Sequence, residues 1–414
     1  MEKNNNIFVG LDIGTTKVCA IVAEAKNDSL ELEIIGVGTS NSVGIKNGVV
    51  VNIENTVESI TKAVEDAELM AGYQIQEAVV GVAGSHIRGF SSRGIVAVKS
   101  REVTQQDIDR VISAAKTMSI PMDHEVIHVI PQGFTVDDQD DIKNPIGMSG
   151  LRLEASVHIV TASSIAAQNI VKCVNKAGID VSEIVLEQIA SSEAVLTEDE
   201  KELGAALIDI GGGTTDVAIF YRGNIVHTFV IPKGGQSVTS DVSKGTTTIP
   251  QEAEKIKIKF GIAKESLAGK DEIIEIPGFG GRPPRPISRQ LLGNIIEQRM
   301  AEIFTWIRKN IEKNGLESKI LSGYVITGGA ALIDGSAELA VEIFNAPVRI
   351  GYPLSVGGLT DAVNSPIYST GVGLVKYAYK NRNEKNKKSF SSKNGGNPFI
   401  IIKNWFLDLI EYLF

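Results

Sequence analysis

Two stretches of this chain repeat one another, and the repetition limits what the chain can fold into. The first is Ile7-Phe-Val-Gly-Leu-Asp-Ile-Gly-Thr-Thr-Lys-Val-Cys-Ala-Ile-Val-Ala23; the second is Leu207-Ile-Asp-Ile-Gly-Gly-Gly-Thr-Thr-Asp-Val-Ala-Ile-Phe220. Each begins apolar and β-branched, breaks at glycine and threonine beside an acid, and turns apolar again, the pattern of a tight β-hairpin. Glycines at the tip let backbone N–H groups approach a ligand without a Cβ in the way. An acid at the strand edge, with hydroxyls beside it, suits phosphate and hydrated Mg²⁺. The bland alternative for the second stretch alone is an ordinary hairpin with a flexible tip. Asp12-Ile-Gly-Thr-Thr-Lys-Val18 aligns with Asp209-Ile-Gly-Gly-Gly-Thr-Thr-Asp-Val217 if the second copy carries two extra glycines. A repeat is weighed before any local reading, and this one predicts two similar α/β domains facing one nucleotide.

The rest of the chain fits a two-lobed body. Its 414 residues suggest two to four compact units. An apolar fraction of 43% and a charged fraction of 22% are ordinary for a globular protein. The net charge of −9 argues against nucleic-acid binding by bulk electrostatics. Cys19 and Cys173 stand alone, without metal or redox spacing, and read as core residues of a reduced protein. The first residues lack the apolar run of a signal peptide, and no stretch has the length of a membrane span.

Helical periodicity predicts a helix from Thr56 to Gly72, with Val57, Ile60, Val64, Ala67 and Met70 on one face. From Gly84 to Thr161 the texture changes to strands around one helix, opened by a capping-box-like Thr104-Gln-Gln-Asp107. This block reads as a small α+β domain inserted into the first lobe. Its His124, His128 and His158 fall on or beside alternating strands and are expected to line a strand face rather than to bind zinc. Ile184 to Leu196 passes from a strand into a helix of small residues, as a hinge between lobes requires. Pro232-Lys-Gly-Gly-Gln-Ser237 turns into another helix, and Gly278-Phe-Gly-Gly-Arg-Pro-Pro-Arg-Pro286 reads as a loop. A long helix is expected from about Ser288 to Asn314, and Tyr324 to Ile333 reads as strand, glycines, helix, an order that brings amides to a ligand.

Residues 380–397 are basic and polar and are expected to be a flexible linker. Beyond them Phe399, Ile402, Trp405, Phe406, Leu409, Ile410 and Leu413 share one helical face, with Lys403, Asn404, Asp408 and Glu411 opposite. Such a segment resembles an in-plane membrane anchor more than a span. The lysines of the linker are available to anionic lipids.

The two Asp-Ile-Gly hairpins and the Val325-Ile-Thr-Gly-Gly329 turn, in this order, resemble the ATPase superfamily of actin, sugar kinases and heat-shock chaperones. The insertion at 84–161, Gln251-Glu-Ala-Glu-Lys-Ile-Lys257, the Gly-Arg-Pro-Pro-Arg-Pro-Ile-Ser-Arg run and the amphipathic tail narrow this. Over nearly its whole length the chain resembles the FtsA family of bacterial cell-division proteins. The resemblance implies an actin-like two-lobed fold of duplicated ribonuclease-H-like domains, with an inserted α+β domain and a C-terminal amphipathic helix. It implies first-lobe core at 1–83, 162–196 and 357–379, and second-lobe core at 197–235 and 316–356. A small subdomain at 236–315 would bind the C-terminal peptide of tubulin-like FtsZ, and residues 398–414 would hold membrane lipid. The protein would polymerise head to tail and tether FtsZ to the inner face of the membrane at the septum, recruiting other divisome proteins.

The resemblance also implies a site for ATP and Mg²⁺. Asp12, Gly14, Thr15, Thr16 and Lys17 would form one phosphate loop, and Gly211, Gly212, Gly213, Thr214 and Thr215 the other. Asp12 and Asp209 would hold Mg²⁺ through water. Gly234 and Gly235 would approach the phosphates, Glu252 and Lys255 would border the ribose or base, and Gly328 and Gly329 would form the adenosine turn. Glu187 falls where related ATPases carry a Gln or Glu that orients the attacking water; hydrolysis is expected to be slow at most, with ATP an assembly cofactor. Two other readings use the same cradle: a pilus-assembly ATP-binding protein, against which the tail argues, and a small-molecule kinase, for which no substrate-cleft carboxylate stands out.

Overall fold

The computed structural model describes residues 6–26, 32–117, 120–278 and 283–391. Strands that read as near-continuous apolar runs, such as Ile7–Ile13 and Ala205–Ile210, are buried along almost their whole length. That is what a strand covered on both faces demands. They sit at the centres of two sheets with one plan. In the first, the antiparallel meander Ile7–Ile13, Lys17–Ala25, Leu32–Asn41 continues on its other side into the parallel strands Glu77–Val82 and Asp180–Leu186. In the second, Ala205–Ile210, Thr215–Tyr221 and Asn224–Ile231 make the meander, and Tyr324–Thr327 and Val348–Ile350 add in parallel. The duplication expected from the two hairpins is therefore a duplication of whole sheets.

Helices cover these sheets, and the one expected from Thr56 begins at Ile53 instead. Ile53–Ala71 starts at Asn52, whose side chain accepts from the Asn55 N–H at 3.0 Å, and stops at Gly72 with φ of 62°. The helix Arg289–Lys313 is capped by Ser288 and buries Leu292, Ile296, Met300, Ile303, Phe304 and Ile307. Its apolar stripe joins Ile208, Val217, Val238 and Ile326 in one core, so residues 236–315 share their interior with the second sheet.

The block after Gly84 has its own four-stranded sheet, ordered Arg88–Ala97, Arg152–Ser163, His124–Val136, Gln139–Ile142. The helix Gln105–Ala115 packs on it, begun by a complete capping box between Thr104 and Asp107. Two expectations give way. Arg285–Ser288, at the end of the expected proline loop, is a strand paired with Ile273–Ile276; in a two-stranded ribbon Pro286 has an open edge for its missing donor. The last helix, Ser369–Ser391, runs through residues 380–391 of the expected flexible linker. Lysine and glutamate form helices readily, and Lys380 is tied to Glu193 at 3.1 Å. The anchor residues Phe399, Ile402, Trp405, Phe406, Leu409, Ile410 and Leu413 lie outside the described residues. Among the described residues no helix is long and apolar enough to cross a membrane.

Candidate functional site

The two hairpin tips close identically. The Gly14 N–H donates to the Lys17 carbonyl at 2.9 Å, and the Gly211 N–H to the Thr214 carbonyl at 3.0 Å. Asp12 lies opposite Cys19 in its hairpin, and Asp209 opposite Asp216. The repeat is therefore free of gaps, and the two extra glycines of the sequence alignment are a correction. Gly212 and Gly213 stand where Thr15 and Thr16 stand, Thr214 matches Lys17, and Asp216 matches Cys19. Turn length is set by the closing hydrogen bond, which residue matching does not see. Thr215 consequently leaves the tip: it is a buried strand residue whose hydroxyl donates to the Lys233 carbonyl at 2.8 Å.

The tips meet each other. A Cβ on Gly212 would fall 2.5 Å from the Thr16 side chain, and one on Gly213 would fall 2.6 Å from Thr15 Oγ1. The glycines are what allow the lobes to approach. A third loop joins them, since the Gly235 N–H donates to the Gly211 carbonyl and the Gln236 N–H to the Gly212 carbonyl, both at 2.8 Å. Gly328, at φ of 85°, lies so close behind that a Cβ there would sit 2.4 Å from Asp209 Oδ1. Gly329 follows against Ile367.

Behind the tips the charge is concentrated. Asp209 accepts from Ser191 Oγ at 2.7 Å and from Thr370 Oγ1 at 3.3 Å, and burial pushes its carboxyl up to about 6. Asp216 accepts from Gln188 Nε2 at 3.0 Å and Thr214 Oγ1 at 2.7 Å, and burial pushes it up to about 7. Asp12 is raised by burial against the pull of Lys17, whose ammonium is 3.5 Å away. Glu187, the first residue of the helix Glu187–Val195, is raised well above the carboxylate range by burial and then by Asp12, Asp216 and Asp209. Lys17 opposes the upward shifts of Asp12, Glu187 and Asp209.

These hard oxygen ligands with excess negative charge fit a hydrated divalent cation. Among the described residues no group of three or more His, Cys, Asp or Glu is placed to hold a metal directly. Glu252 and Lys255 pair with each other at 2.7 Å. From the same helix, buried Lys257 instead reaches the glycine turn, donating to the Gly235 carbonyl at 3.2 Å and to Thr239 Oγ1 at 3.0 Å. Sequence reasoning missed Asp216, Gln188, Ser191, Thr370 and Lys257. Only Asp216 carried a visible signal, an acid in an otherwise apolar strand.

The model of the family described as cell division protein FtsA matches residues 206–373, and that of the SHS2 domain inserted in FTSA matches residues 84–161. Cell division protein FtsA of Pseudomonas aeruginosa is 50% identical, covering 95% of this chain and 94% of its own. That of Escherichia coli K12 is 43% identical over 90% of each chain, and that of Bacillus subtilis 40% over 93% of this chain and 86% of its own. Among solved structures, the PilM-PilN type IV pilus biogenesis complex superposes with a TM-score of 0.66 at 13% identity, over 90% of this chain and 98% of that one. MreB5 of Spiroplasma citri bound to ADP does so with 0.55 at 16%, over 92% and 99%. These two show the fold, which is actin-like. The identity to whole-length relatives shows more: the chain belongs to the FtsA family of cell division proteins.

Proposed function

We propose that the chain binds Mg-ATP between its lobes, polymerises, and tethers FtsZ to the inner face of the cytoplasmic membrane at the division septum. The observation that carries the nucleotide half is the meeting of Gly212 with Thr16 and Gly213 with Thr15, in front of Asp12 and Asp209. Backbone amides from both lobes then converge where phosphates would lie. Asp12 and Asp209 would hold Mg²⁺, which would favour the ionised form of their carboxyls, now raised by burial. Glu187 would orient the attacking water, and a bound metal would supply charge neutralisation at the phosphates. A neighbour of the same fold has been solved with ADP and with AMPPNP, which supports a nucleotide here.

The tether half rests on family membership and on the tail. Residues 236–315 receive the FtsZ C-terminal peptide, residues 398–414 lie in the membrane surface, and other divisome proteins join the assembly. The polar face of the tail sets Lys403 against Asp408 and Glu411, so apolar burial dominates attachment. Each fully buried Phe or Leu contributes roughly 1.5–3 kcal/mol. Titration of an FtsZ C-terminal peptide into the chain, with liposome flotation with and without residues 398–414, tests this reading. Saturable binding and loss of flotation on deletion are expected; absence of peptide binding by a nucleotide-competent chain, or equal flotation, contradicts it.

A further inference from the structure

The inserted domain belongs to the first lobe by chain connection, yet its side chains hydrogen-bond to both lobes. His128 and Gln132 lie on one of its strands, His124–Val136. His128 Nε2 accepts from the Leu186 N–H at 3.0 Å. Leu186 is the residue that caps the helix Glu187–Val195, and it brings no side-chain cap of its own. Since a backbone N–H can only donate, His128 is neutral there with its proton on Nδ1. Its ring also meets Tyr377 edge-on at 6.5 Å, and the Tyr377 hydroxyl donates to Glu183 at 2.9 Å, just before the hinge.

Four residues further on, the same strand holds the second lobe. Gln132 Nε2 donates to the carbonyls of Ile225 and Val226 at 3.0 and 3.2 Å. These carbonyls sit where the outermost strand of the second sheet, Asn224–Ile231, shifts register against Thr215–Tyr221. A bulge leaves ladder groups without partners, and Gln132 supplies them. Nearby His158 Nε2 shares a buried 2.9 Å hydrogen bond with Thr228 Oγ1 of that strand, and ion pairs join Asp141 to Arg222 and Lys143 to Glu202 at the rim.

We infer that the inserted domain is a strap across the interlobe hinge, with His128 positioning the start of the Glu187 helix and Gln132 holding the edge of the second lobe. Any change of the interlobe angle must slide or break one of these holds, because both hang on one strand. The strap therefore sets how readily the cleft opens, and whatever engages the inserted domain acts on the nucleotide through it. This regulation rests on the reading of the cleft as a nucleotide site.

The test is the dissociation rate of a fluorescent ATP analogue from the full chain with Mg²⁺, for wild type, Gln132→Ala, His128→Phe, His128→Gln and the Gln132→Ala/His128→Phe double variant. Each hold, when lost, is expected to speed dissociation about fivefold or more. The double variant should be no faster than the faster single one, because one strap is released once. His128→Gln, which keeps an acceptor, should restore the slow rate, and hydrogen exchange across 187–195 should rise in His128→Phe alone of the His128 variants. Gln132 lies at a half-exposed interface, so Gln132→Ala keeps the test decisive even if His128→Phe fails to fold. Wild-type dissociation rates in a folded Gln132→Ala chain, or additive effects in the double variant, overturn the strap alone. A wild-type chain that binds no nucleotide overturns the site reading and the strap with it.

Discussion

Asp209 and Asp216 face each other across one hairpin register, and both are held partly protonated by burial near neutral pH. One pKa unit corresponds to roughly 1.4 kcal/mol between protonation states. Because the folded-state values, about 6 and about 7, lie above the ordinary carboxyl value of 3.8, these two acids bind more protons in the folded chain than in the unfolded one in this window. The stability these two acids contribute to the ligand-free chain should therefore fall as pH rises from about 4 to about 7, with the loss complete above that range. Asp216→Asn removes part of the penalty. Its ligand-free melting temperature should exceed that of the wild type at pH 8 and match it at pH 4, which thermal melts across this range measure. Added Mg-nucleotide should reverse the order at pH 8, since the ionised acid is then compensated.

At the scale of elements, the contact between the helices Glu187–Val195 and Ser369–Ser391 depends on one position. A Cβ on Gly373 would fall 1.8 Å from the Ala190 carbonyl oxygen, so the helices cannot stay in place around a larger residue. In an exposed helix Gly→Ala gains about 1 kcal/mol; here overpacking should reverse the sign and cost about 1–3 kcal/mol. Denaturant unfolding of Gly373→Ala reads that sign directly. Thr370, three residues earlier on the same helix, donates to Asp209, so the variant should also weaken nucleotide binding.

The elements also show what a sequence can and cannot disclose. Hairpins, the Thr104 cap and the apolar stripe of Arg289–Lys313 were legible because each is written in contiguous residues, whereas the Asn52 cap was not singled out. The gap-free match of the two tips was hidden, because Thr-Thr pairs attract an alignment while the backbone hydrogen bond fixes the turn. Ser191 and Thr370 were hidden for another reason: Thr370 reaches Asp209 across 161 residues of chain, and no local pattern marks a hydroxyl for that task.

At the scale of the whole molecule, two sheets of one plan bring two tips together, the inserted domain crosses the hinge, and the last helix leaves from behind the cleft. Under the proposed function that cleft is a Mg-ATP clamp that sets the lobe angle and with it the competence to polymerise, while the tail attaches independently. Calorimetric titration of Mg-ATP into wild type and Asp209→Ala addresses this most directly, with sedimentation and flotation of the same samples. Loss of a charge-assisted contact should weaken affinity about tenfold or more, abolish polymer sedimentation and leave flotation intact. Unchanged Mg-ATP affinity in Asp209→Ala would contradict it.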